Sequence, residues 1–110
     1  MIPNPTKHFF FTFGSGHPFA KKVVFIQAKD AETAREAMFR VFDKKWGFQY
    51  GFNDGERGWT KQSTDYGYEP LCALTVDAYN PHDPSKLDIK EIPTGNFMSH
   101  ARQEARENAA

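Results

Sequence analysis

Little in this chain points to a covalent or metal scaffold. Cys72 is its only cysteine, so no disulfide forms within the chain and no cysteine-only zinc site can be built; a reducing compartment suits it. No stretch approaches the roughly 20 apolar residues that a membrane helix requires, and the opening MIPNPTKH holds no signal-peptide core. A cytoplasmic protein with no membrane partner is expected. Charge of one sign is also missing. The 14 Lys and Arg residues offset 14 Asp and Glu, so no overall field draws the chain to anionic lipid or nucleic acid, and nucleic acid is not favoured as a partner. Repeats and low-complexity tracts are absent.

Aromatic side chains, by contrast, are abundant. The 110 residues include 11 Phe, 4 Tyr and 2 Trp, 15% aromatics against 25% charged residues, which is too aromatic and too balanced in charge for a disordered chain and suits one small domain. From His8 to Phe13 the pattern puts Phe9, Phe11 and Phe13 on one face of a strand and His8, Phe10 and Thr12 on the other. KVVFIQA, from Lys22 to Ala28, is β-branched and apolar on both sides, as a central strand would be. GSGHPFAK between them is longer than the tightest hairpin turns, so an open loop joining an antiparallel pair is expected.

Asp30 precedes AETAREAMFRVFDKKW and has the character of a helix N-cap, with Gly47 fitting the stop and Lys44 and Lys45 the last turn. On a helical wheel Ala34, Ala37, Met38, Phe39, Val41, Phe42 and Trp46 fill one broad apolar arc. FQYGF (48–52) fits a short strand, and the glycine-rich stretch after it reads as a long loop holding Trp59, Tyr66 and Tyr68. Alternation returns from Leu71 to Tyr79, LDIKEIP suits a short edge strand, and SHARQEARENAA has helix formers but almost no large apolar residue, hence a marginal helix. The order strand, strand, helix, strand, strand predicts an α+β domain over 1–95, a small mainly antiparallel sheet with one long helix on a face. Residues 96–110 are then a polar tail.

Three groups of residues could carry function. In GSGHP, Gly14 and Gly16 could adopt positive φ and leave amides open to an anion, with Ser15 and His17 adding donors; equally, the glycines could merely turn a hairpin. No P-loop or dinucleotide motif is present, because these glycines open a strand rather than a helix. Arg35 falls between Phe42 and Trp46 inside the apolar arc. It either snorkels toward solvent or Glu32, or grips a phosphate or carboxylate near the glycine loop with Lys21 or Lys22. Trp59, Tyr66 and Tyr68, with Tyr50 nearby, could stack on a base, anchor a partner protein, or fold back as a lid on the sheet. His8, His17, His82 and His100 are scattered, Cys72 alternates into the core, and HDP (82–84) is a proline-flanked turn, so no metal site, cofactor or catalytic group is nominated.

FTFGSGHPFAKKVVFIQAKDAETAREAMFRVF and the adjoining DKKWGFQY resemble a group of small, mostly uncharacterised proteins of tailed bacteriophages and prophages, which share a TFGSG-type turn and an AR..MF..F..KW..QY helix end. The likeness covers Phe11 to Tyr50. It implies phage origin and action in a bacterial cytoplasm, and it carries no catalytic residue across.

The leading expectation is therefore a non-enzymatic phage accessory protein that binds a host target, with counter-defence as its purpose. Its ligand is either an anionic nucleotide signal, slightly favoured if Gly14, Ser15, Gly16, His17, Lys21 and Arg35 converge, or the surface of a host defence protein. Two rivals remain: a protein-interaction module using Trp59, Tyr66 and Tyr68 without a small-molecule ligand, and a small nucleotide- or nucleic-acid-processing enzyme. The oligomeric state stays open, a homo-oligomer included.

Overall fold

A computed structural model describes residues 7–14, 16, 18–43, 46–77 and 88–109. The elements run β1 (Lys7–Phe13), β2 (Lys22–Ala28), α1 (Ala31–Phe42), β3 (Trp46–Gly51), a single 3-10 turn (Gly55–Arg57), α2 (Trp59–Tyr66), β4 (Glu69–Asp77), β5 (Asp88–Ile92) and α3 (Thr94–Ala109). The strands form one sheet in the order β3-β1-β2-β4-β5. Neighbours are antiparallel except β2 and β4, which are parallel. This is a small mixed α and β fold with three helices, so the expected β-β-α-β-β order with one helix is incomplete.

The alternation of β1 and β2 explains why helices cover both faces. Phe9, Phe11 and Phe13 join Val24, Ile26, Ala28, Leu74 and Val76 beneath Ala34, Ala37 and Met38 of α1. Phe10, Val23, Phe25 and Ala73 point the other way, against Phe52, Phe97 and Ala101, with Trp59 packed beside them. A sheet apolar on both sides needs a cover on each side, and each fully buried Phe contributes roughly 1.5–3 kcal/mol.

Asp30 caps α1 as its sequence position suggests: the side chain accepts from the Thr33 amide at 2.8 Å. The far end differs from expectation. The helix stops at Phe42, and Asp43 takes the positive φ (57°) while its N–H bonds Phe39 O. Trp46 leaves the helical pattern because β1 offers it a partner. It pairs with Phe13 in the sheet, and its ring meets Phe11 edge-on at 5.1 Å. Gly47 serves the strand rather than the helix stop, since a Cβ there would lie 3.3 Å from Gly14 N where the β1–β3 register shifts. The buried strip of α1 is consequently narrower than the wheel implied, and Phe39 and Val41 are exposed.

The stretch read as a long loop contains the 3-10 turn and α2. Trp59 orders it: the indole packs edge-on to Phe25 at 4.8 Å and to Phe10 at 5.6 Å. Gly67 ends α2 in the left-handed conformation (φ 68°), with its N–H on Ser63 O. The helix expected to be marginal is also a packed element. Phe97 lies parallel on Phe25 at 4.8 Å, Ala101 is buried one turn later, and Asn53 Nδ2 donates to Ala101 O at 2.9 Å. Two apolar residues at i and i+4 are enough to seat a helix whose other faces are polar. Residues 78–87, with the HDP turn, lie outside the described residues.

Candidate binding groove

Between α2 and the edge of the sheet runs an open groove of about 1020 Å³. Its floor is the α2-facing side of β1 and β3, where Thr12, Phe48 and Tyr50 point the same way by strand alternation. Its wall is the last turn of α2 with Tyr66, followed by Tyr68, and its mouth is formed by Gly14 and Lys21. Tyr66 and Tyr68 hold their rings 5.6 Å apart. Tyr66 is 56% exposed and Phe48 61%. Burial, and then the neighbouring Tyr50 and Tyr66, push the Tyr68 phenol above its ordinary 10.0, so its hydroxyl remains a neutral hydrogen-bond group at physiological pH.

The charge around this aromatic surface is mixed. Lys21 and Arg57 line it together with Asp54, Glu56 and Asp65, and Asp65 is paired with Lys61 at 3.3 Å. Lys21 is moreover engaged at the end of α2, where Nζ donates to Tyr66 O at 3.1 Å. A cation there offsets the negative end of the helix. Lys22 pairs with Glu69 at 2.7 Å.

Of the residues singled out in the sequence, Gly14, Lys21, Tyr66 and Tyr68 meet at this groove, and Tyr50 joins them. Gly14 does not have positive φ, so it does not take the backbone conformation on which the expected anion nest depended. Ser15 and His17 lie outside the described residues. Arg35 sits on the opposite face of the sheet. It lines a separate hollow of about 530 Å³ with Phe9 and Trp46, and its Nε donates to Gln49 Oε1 at 3.2 Å. The wheel placed Arg35 inside the apolar arc because Trp46 was counted as helical; with Trp46 in β3, Arg35 lies at the exposed margin of α1. Trp59 does not line the groove; it packs half-buried against Phe10, Phe25 and Phe52.

Arg57 and Asp65 escaped the sequence reading, and Asp54, Glu56 and Phe48 were not singled out as a site. The segment after Phe52 carries no period, and only α2 folding over the sheet end brings these residues beside the tyrosines. Among the described residues no three His, Cys, Asp or Glu side chains stand close enough to hold a metal, and no helix is long and apolar enough to cross a membrane. Cys72 is half-buried, and burial, with Glu91 nearby, pushes its thiol above its ordinary value.

No protein-family model matches this chain, and no curated protein and no solved structure is significantly similar to it.

Proposed function

We propose that this chain acts by binding, as a small phage accessory protein that docks a host protein, with counter-defence as its purpose by analogy with other small phage accessory proteins. The groove receives an exposed aromatic or aliphatic segment of the partner, flanked by basic residues. The observation that carries this reading is the pair Tyr66 and Tyr68 standing over a groove bordered by Asp54, Glu56 and Asp65. Tyrosines are effective anchors because they offer large contact area at low entropic cost, and the carboxylates Asp54 and Glu56 on the groove border favour a cationic group on the partner.

A nucleotide signal is the second reading, supported by Gly14 and Lys21 at the groove mouth and by tyrosine faces on which a base can stack. Its weakness is that Arg35 faces the other side of the sheet.

Affinity capture from infected and uninfected bacteria, run beside calorimetric titration with mono- and cyclic nucleotides, separates the two. Docking to a protein predicts that Tyr66→Ala and Asp65→Lys each lose a host protein retained by the wild type, with unchanged melting temperatures and no heat from nucleotides. Saturable nucleotide heat abolished by Lys21→Ala replaces it with the second reading.

A further inference from the structure

We propose that the outer edge of β3 pairs antiparallel with β3 of a second copy of this chain, joining two five-stranded sheets into one. β3 is the first strand of the sheet order, and among the described residues no strand lies beyond it. Phe52 N donates to His8 O at 2.9 Å, and Phe10 and Thr12 lie opposite Tyr50 and Phe48. In an antiparallel ladder the bonding direction alternates, so Phe48 and Tyr50 turn their amides toward β1 while Gln49 and Gly51 turn theirs outward.

The two edges of this sheet are built differently. β5 reads DIKEI and carries Asp88, Lys90 and Glu91, the charged composition that keeps an edge from pairing. β3 reads WGFQYG and has neither charge nor proline. It also carries Phe48, the most exposed of the large hydrophobic residues described, at 61%. The groove and the hollow beside Arg35 are each lined by Phe48, Gln49, Tyr50 and Gly51, which leaves the edge open from either face.

Phe48–Tyr50 is self-complementary about a two-fold axis through Gln49. The outward amide and carbonyl of Gln49 then bond those of its counterpart, and the flanking Gly47 and Gly51 carry no side chain of their own to obstruct the approach. Phe48 faces Tyr50 of the other copy, and Tyr50 faces its Phe48, so the exposed ring is covered twice over. On the opposite face the Gln49 side chain is held back on α1 by Ala31 O at 3.0 Å and by Arg35. A formal net charge of zero gives the two copies no overall repulsion. The pairing places the two tyrosine grooves side by side on one surface, and it stands whether or not those grooves bind a host protein.

Light scattering on the purified chain tests this. The expected mass is twice 12.6 kDa, halved by Phe48→Lys, which plants a charge at the exposed edge, and unaffected by Tyr66→Ala. In a Cys72→Ala background, Gln49→Cys should oxidise to a covalent dimer while the exposed control Thr64→Cys does not; this arm keeps the test valid if Phe48→Lys misfolds. A wild type of single-chain mass at its highest soluble concentration overturns the proposal. So does a dimer that persists in a folded Phe48→Lys variant, or one that Gln49→Cys fails to trap.

Discussion

His8 Nδ1 stands 2.6 Å from Glu104 Oε2, tying the first described strand to the last helix across 96 positions of sequence. A carboxylate only accepts, so the imidazole donates through Nδ1. The ring is buried, lies edge-on to Phe97 at 5.1 Å, and its Nε2 has no partner among the described residues. Glu104→Ala should therefore cost about 1–3 kcal/mol, the range for stranding a buried polar group. The double variant His8→Phe with Glu104→Leu should recover most of that loss in urea melts, because no polar group is then left buried. Equal stability of wild type and Glu104→Ala would show that the contact does not hold α3.

Asp30 gives a pH-dependent prediction. Its hydrogen bonds from Thr33 hold the carboxyl below the ordinary 3.8, so the folded state favours the ionised form. The resulting stabilisation is complete above the unfolded value and is lost as pH falls through the lower folded value. Asp30→Ala should cost about 1 kcal/mol at neutral pH. The gap between variant and wild type should shrink in acid, and a gap independent of pH down to strongly acidic solution would refute the charged cap.

The two faces of the sheet can be weighed against each other. Met38 on α1 and Phe97 on α3 are both fully buried. Met38→Ala should cost about 2–5 kcal/mol and Phe97→Ala about 3–5 kcal/mol. Chemical denaturation that finds Phe97→Ala nearly neutral would mean that α3 is dispensable to the fold.

Gly58 is constrained by space. Its φ of −76° suits any residue, yet an added Cβ would come within 2.9 Å of Asp54 N and of Phe52 O, both backbone atoms. Phe52 O is also the acceptor of the Trp59 amide at 2.8 Å. Gly58→Ala should cost about 1–3 kcal/mol by pushing these atoms apart, and thermal melts of the variant beside the wild type check it.

Periodicity made the sheet legible and left its edges and covers obscure. The alternation of Phe9 through Phe13 and of Val23 through Ala28 identified two strands with both faces buried, and Asp30 marked the start of α1, since each signal is local. Trp46 and Gly47 were misread because a helical arc and a C-terminal glycine fit them equally well; pairing with Phe13 and close approach to Gly14 are tertiary facts. α3 looked marginal because its apolar content is concentrated in Phe97 and Ala101, which suffice only when Phe25 lies beneath them. In the groove, Tyr66 and Tyr68 drew attention by residue type alone. For Trp59 residue type left anchor and lid open, and its indole packs half-buried against Phe10 and Phe25.

The parallel pairing of β2 with β4 has a consequence for how the chain comes to be folded. These neighbouring strands are separated in sequence by α1, β3 and α2, so their contact waits on closure of a long intervening segment, whereas β1 and β2 meet through a short loop. α3 follows every described strand, and its Phe97 stacks on Phe25. During synthesis Phe25 thus has Phe52 and Trp59 beside it but lacks its stacked partner Phe97 until α3 is made, and a nascent chain stalled before Thr94 presents that half-covered face to chaperones and to other chains.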